Sequence, residues 1–186
     1  MTAFGHPHLH LRLTDSTNHR ARELAEGGAP DGTVITSVAQ SAGRGRRGRA
    51  WSAPAGGALL YSAILRPLGP EQALLPLAVP VAVCEAVESL APVACRIKWP
   101  NDVWIEERKV AGVLIEARPP EWAVIGIGVN VAIADDDFPG DLRWPATSVG
   151  HEATAEAMRA AVSASLGQWV HASEQRILAA FGERDA

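Results

Sequence analysis

Residues 122–131, WAVIGIGVNV, constrain the fold more than any other stretch, because Asn130 is the only polar residue among the ten. A run this apolar lacks the in-out alternation of a half-wet strand. It therefore predicts a central strand covered on both faces, and a layer of structure on each side of its sheet.

The remaining elements supply that sheet and its layers. Leu9, Leu11 and Leu13 alternate with His8, His10 and Arg12, the period of a half-buried strand. Asp15, Ser16 and Thr17 offer cap side chains for a short helix through Ala21, Leu24 and Ala25. A turn over 27–32 leads to strands at 33–39 and 58–65, separated by a glycine- and arginine-rich loop. Residues 74–90 are apolar and long enough for a buried helix, whose start Pro76 and Pro80 should delay to about residue 77. Short strands at 96–99, 103–105 and 110–116 read as a meander, ended by the Pro119-Pro120 turn. Met158, Ala161, Val162, Ser165, Leu166 and Trp169 repeat at helical spacing, and Leu178 with Phe181 indicates a final helix. Strands interleaved irregularly with helices predict an α+β fold, a single mixed β-sheet packed by helices, as one domain over residues 1–186.

Charge narrows the function classes. The chain carries a net −4, yet four arginines fall within the seven residues 43–49, which leaves −8 on the remainder. That balance argues against a coat for nucleic acid or an anionic membrane, and marks the loop as a local anion trap. The N-terminus shows no basic leader, and no apolar run is read as approaching the roughly 18 residues of a membrane span. A cytoplasmic protein is expected, with Cys84 and Cys95 as reduced core thiols. There are fifteen arginines but only two lysines, Lys98 and Lys109, and three asparagines, Asn18, Asn101 and Asn130. Lysine kept in an arginine-writing chain suggests a need for a compact, movable charge.

Four segments carry chemistry. Gly43-Arg44-Gly45-Arg46-Arg47-Gly48-Arg49 combines backbone freedom with guanidinium groups that pair with phosphate or carboxylate. The bland alternative is a flexible surface loop that binds RNA or nothing, and without the Lys-Ser/Thr ending a Walker loop is excluded. In Lys98-Trp99-Pro100-Asn101-Asp102, Lys98 ends a strand as a cation and Asp102 offers oxygen to Mg²⁺, against the alternative of an ordinary hairpin corner. Residues 108–116 form a strand in which Gly112 either admits a ligand or relieves crowding. In residues 125–130, Gly126 and Gly128 strip one face of side chains and leave a slot for something flat, with Asn130 at its end.

In order along the chain, Asp15-Ser16-Thr17-Asn18, Gln40 through Trp51, 98–102, 109–116 and 126–130 together resemble the catalytic domain of biotin protein ligases. The resemblance implies an enzyme that joins biotin to ATP, forms biotinyl-5'-AMP and pyrophosphate, and passes biotin to a lysine of a carboxylase's biotin carboxyl carrier domain, with Mg²⁺. It implies biotin contacts from Ser16, Thr17, Asn18, Gln40, Gly43, Arg44, Gly45, Arg46, Lys98 and Gly112. It assigns ATP or adenylate contacts to Arg46, Arg49, Trp51, Lys98, Asn101 and Asn130, catalytic roles to Lys98 and Arg46, and a possible Mg²⁺ contact to Asp102. Lys98 matches the family's lysine beside the biotin carboxylate and the α-phosphate. Many members carry an N-terminal helix-turn-helix domain and a C-terminal β-barrel; neither is expected within this chain, so no DNA partner is anticipated. Family members often pair through the sheet, which makes a homodimer a further expectation.

Two rival readings stand beside this one. A lipoate or octanoate ligase or transferase of the same fold would need a long apolar slot rather than polar groups for a ureido ring, and is not expected to carry the Gly-Arg repeat. A non-catalytic module holding RNA or protein on the arginine loop predicts steep salt dependence and no ATP consumption. His6, His8 and His10 share one strand face, but no carboxylate or cysteine accompanies them to make a metal site. Trp104, Trp122, Trp144 and Trp169 read as core or interface residues.

Overall fold

A computed structural model of the chain describes residues 3–140 and 142–186. Seven strands, β1 (His8–Thr14), β2 (Val34–Gln40), β3 (Ala58–Leu65), β4 (Cys95–Lys98), β5 (Asp102–Ile105), β6 (Arg108–Arg118) and β7 (Trp122–Asn130), form one sheet in the order β1-β2-β3-β7-β6-β5-β4. The β1–β2 pair is parallel and every other pair is antiparallel, so the sheet is mixed as expected. Four helices cover it: α1 (Thr17–Glu26), α2 (Leu75–Glu88), α3 (Ala155–Trp169) and α4 (Glu174–Arg184).

The central strand β7 explains both layers. Ala123, Ile125, Ile127 and Val129 face the large core shared with α2, α3 and α4. Trp122 and Val124 face the opposite way, into a smaller cluster with Ala21 and Ala25 of α1 and with Ile35 and Ile64. Beyond Val124 the second face carries only Gly126, Gly128 and Asn130, and it is there that the start of α1 gives way to the functional site.

Helix α2 begins at Leu75, two residues earlier than the prolines suggested. Pro76 sits in the first turn, where a backbone N–H has no helical acceptor to lose. Residues Pro70–Glu88 are apolar and long enough to cross a membrane by length and composition, contrary to the sequence reading. Here they are core: Val79, Val81, Ala82, Val83 and Cys84 have no exposed surface.

One irregularity positions the site. Between Val103 and Trp104 the β5–β6 register shifts, so that Val103 pairs with Ala111 but Trp104 pairs with Lys109. A bulge of this kind re-aims the side chains beside it. It turns Lys109 onto the face that carries Asp102 and Gly112, with its Nζ 2.8 Å from Asp102 Oδ1.

Candidate active site

A cleft of about 720 Å³ opens on the sheet face beside the N-terminus of α1. One wall is a hydrogen-bonded lattice. The Thr17 N–H donates to Gln40 Oε1 at 2.7 Å and its hydroxyl lies 3.1 Å from the same oxygen. Asn18 donates to Glu116 at 2.9 Å and to the Leu114 carbonyl at 3.3 Å. Ser62, fully buried on β3, lies 2.6 Å from Asn18 Oδ1 and 2.9 Å from Thr17 Oγ1, and donates to one of them. Ser16 is the N-cap of α1 by position but makes no side-chain cap bond; Asp15 accepts from the Ser16 N–H instead, at 2.7 Å. The Asp15 carboxyl is held at about 2 by its hydrogen bond with His19 and by that N–H.

The glycines of β7 fill rather than empty this face. A Cβ on Gly126 would lie 2.0 Å from Asn18 Oδ1, and one on Gly128 would lie 2.4 Å from the Trp51 ring. The slot expected for a flat ligand is therefore occupied by the protein's own amide and indole. Trp51 also lies 3.1 Å from where a Gly112 Cβ would stand. Its indole roofs two adjacent strands.

The arginine loop forms the opposite wall. Arg44 bridges to Ala50, the Gly45 N–H bonds the Arg49 carbonyl at 2.7 Å, and a 3-10 turn over Arg46–Gly48 holds Arg47 at φ 57°. Arg44, Gly45, Arg46 and Arg49 line the cleft. Gly43 does not. It sits at the loop's base, where a Cβ would fall 2.3 Å from the Trp51 carbonyl oxygen, so its expected ligand contact is replaced by a packing requirement. With Lys109, the three arginines put four cations on the lining of the cleft, where Asp102 is the only carboxylate among the described residues. That excess of positive charge favours an anion in the cleft although the chain is acidic.

The two lysines stand otherwise than expected. Lys109 lines the cleft, 5.5 Å from the Trp51 ring, whereas Lys98 does not line it. The Lys98 ammonium lies instead over two indoles, 3.6 Å from the Trp144 ring centroid and 4.0 Å from that of Trp104. The reason is the bulge: without it, strand alternation would send Lys109 to the other face of β6.

A second cavity, about 790 Å³, adjoins the first and shares with it Arg49, Ala50, Trp51, Asp102 and Lys109. Its own wall is Phe138, Leu142, Trp144 and Asn130. Asn130 donates to the Thr147 carbonyl at 3.0 Å and to that of Lys109 at 3.4 Å, bracing the Trp144 segment against β6. Asn101 lines the first cleft, donating to the Val113 carbonyl at 2.9 Å while Arg46 approaches its Oδ1 at 3.5 Å.

Asp102, expected as a metal contact, is bound to Lys109 and is the only carboxylate among the described residues lining either cavity. No group of three metal-ligating side chains occurs among the described residues. These donors do not fit a resident Mg²⁺. His8 and His10 both bond Thr36 Oγ1, each at 2.8 Å, which ties β1 to β2. Among residues that sequence reading left unassigned, Lys109 lines the cleft, while Ser62 and Glu116 hold Asn18 from behind its wall. The only signal for Ser62 was a hydroxyl within an apolar strand.

The Biotin/lipoate A/B protein ligase family model matches residues 10–130. The chain is 40% identical over 156 residues to the bifunctional ligase/repressor BirA of Bacillus subtilis, covering 81% of this chain and 48% of that protein. It is 43% identical over 134 residues to the biotin--[acetyl-CoA-carboxylase] ligase of Paracoccus denitrificans, covering 68% and 55%. Among solved structures, the Aquifex aeolicus biotin protein ligase in complex with biotin and ATP superposes with a TM-score of 0.76 at 31% identity, covering 88% of this chain and 69% of that one. The chain spans about half the length of the curated relatives it matches. On the family match and these identities, the chain belongs to the biotin/lipoate A/B protein ligase family.

Proposed function

We propose that the chain activates biotin with ATP to biotinyl-5'-AMP and pyrophosphate, then transfers biotin to a lysine of a biotin carboxyl carrier domain. The observation that carries this reading is the meeting of two unlike cavities at one lysine. The first presents the neutral polar groups of Ser16, Thr17 and Gln40, suited to a ureido ring; the second presents the aromatic rings of Trp51, Phe138 and Trp144, suited to a purine. Biotin in the first and ATP in the second would bring the carboxylate and the α-phosphate together at Lys109. Two anions that must collide need a fixed cation there, and Asp102 holds that ammonium in place. A carboxylate oxygen attacks the α-phosphorus, pyrophosphate leaves, and the carrier amine then displaces AMP from the acyl carbon. ATP enters as its magnesium complex, the metal held by phosphate oxygens.

The test is incubation of the protein with biotin, ATP and Mg²⁺, measuring pyrophosphate and biotinyl-AMP, followed by addition of a carrier domain. Biotin-dependent pyrophosphate release is expected, with no release on lipoate. Release on lipoate but not biotin would move the chain to the lipoate branch of the family. Pairing of two copies through the sheet is a separate proposal, which light scattering at micromolar concentration checks by mass.

A further inference from the structure

The role lost by Lys98 at the reacting centre leaves its position to be explained. Its ammonium is gripped between the rings of Trp104 and Trp144, whose centroids stand 5.8 Å apart with planes inclined at 62°. The two indoles are held unequally. Trp104 is only 8% exposed, clamped on β5 between β4 and β6. Trp144 is 38% exposed and lies outside every helix and strand. Its following backbone is laced to β6, where the Lys109 N–H bonds the Pro145 carbonyl at 2.8 Å and the Thr147 N–H bonds the Lys109 carbonyl at 2.9 Å. The chain is thus anchored just beyond Trp144, while the indole itself rests against the Lys98 cation and the edge of a fixed ring.

We infer that Lys98 is a positioning residue for the nucleotide: it fixes the plane of Trp144, and so the aromatic wall of the second cavity, without touching the reacting atoms. An ammonium between two π faces is attracted to both, and most strongly where water is displaced. A flat wall set before the purine arrives costs no ordering when it binds. The inference rests on the proposed reading of the second cavity as the nucleotide site.

The test separates the two. ATP and biotin affinities and the rate of pyrophosphate release are measured for the parent, Lys98→Met, Lys98→Arg, Trp144→Ala and the double variant Lys98→Met with Trp144→Ala, together with tryptophan fluorescence. Lys98→Met should raise the KM for ATP about tenfold, leave the KM for biotin within about twofold and kcat within about threefold, and shift the emission of the free enzyme. Lys98→Arg, which keeps the cation over the rings, should recover most of the ATP affinity. The double variant should be no weaker than Trp144→Ala alone, because both changes break one unit. A Lys98→Met enzyme that binds ATP as the parent does, or one that loses kcat about a hundredfold at unchanged KM, overturns the positioning role. A parent that releases pyrophosphate with biotin yet binds its nucleotide with Trp144→Ala unchanged overturns the assignment of the second cavity itself.

Discussion

The two walls of the first cleft are built on opposite terms. On one, Thr17, Asn18, Gln40 and Ser62 interlock, and Asn18 spends both amide hydrogens within the protein. On the other, Arg44, Arg46 and Arg49 bring three charges to the surface, and of these side chains only Arg46 reaches a partner among the described residues, Asn101 at 3.5 Å. A wall for a neutral polar ring can be finished in advance, because its groups satisfy one another. A wall for an anion cannot: like charges repel until the anion is there. The lattice side is preorganised and the loop side is completed by its ligand.

The sharpest break in this comparison lies where the walls meet. Replacing Lys109 by Gln should cut biotin-dependent pyrophosphate release by roughly 10³-fold, the scale of removing one electrostatic stabiliser of a developing charge, with thermal stability near the parent's. A release rate within tenfold of the parent would return the charge-stabilising role to another cation.

Next comes the lattice wall. In Gly126→Ala the new methyl falls on Asn18 Oδ1, so Asn18 must leave Ser62 and Glu116. We expect a loss of about 1–3 kcal/mol of stability by denaturant titration and at least tenfold weaker biotin binding by calorimetry. Unchanged biotin affinity would show that the lattice is scaffold only.

The loop wall should behave otherwise. Arg46→Gly should still form biotinyl-AMP but release it about tenfold faster, seen as biotin label on an added bystander protein. Hydrogen exchange at residues 43–49 should slow on adding biotin and ATP. Equal protection with and without ligand would make the loop as finished as the lattice and erase the contrast.

The smallest effect is at Asp15. Its carboxyl falls to about 2 in the folded chain from an ordinary 3.8, held by His19 and the Ser16 N–H. A depressed carboxyl adds stability that is present above the unfolded value and lost as pH falls through the folded one, so the window is about pH 4 down to 2. Because the Asp15 side chain is 43% exposed the effect is small: Asp15→Asn should lower stability slightly and by a constant amount above about pH 4, neutral pH included, and converge on the parent as the pH falls towards 2. A parallel downward shift at all pH values would assign Asp15 a purely geometric role.

How much of this was legible in the sequence depends on range. Local pattern found β3 at its observed bounds and the buried β7, both as continuous apolar runs, and the helices α3 and α4, because burial of one helix face leaves a period of 3.6 in the residues themselves. Of the cleft lining, the arginine loop was marked by its unusual local composition, whereas Ser16–Asn18 and Gln40 were reached through the family resemblance. The choice between the lysines was not legible. Lys98 and Lys109 both stand on strands, and only a one-residue bulge set by pairing between β5 and β6 brings Lys109 onto the cleft face. The glycines of β7 misled for a related reason. A missing side chain is visible in sequence, but what moves into its place comes from residues 18 and 51, on other elements.

The position of Trp51 would tie the two proposed substrates together. One indole is pressed on Gly128, borders both cavities, and stands two residues beyond Arg49 of the loop. Whatever tilts that plane to suit a guest on one side alters the room on the other. The guests would then be thermodynamically linked through the indole as well as at the reacting atoms, and linkage runs both ways: the factor by which biotin would change the affinity for ATP is the factor by which ATP would change the affinity for biotin.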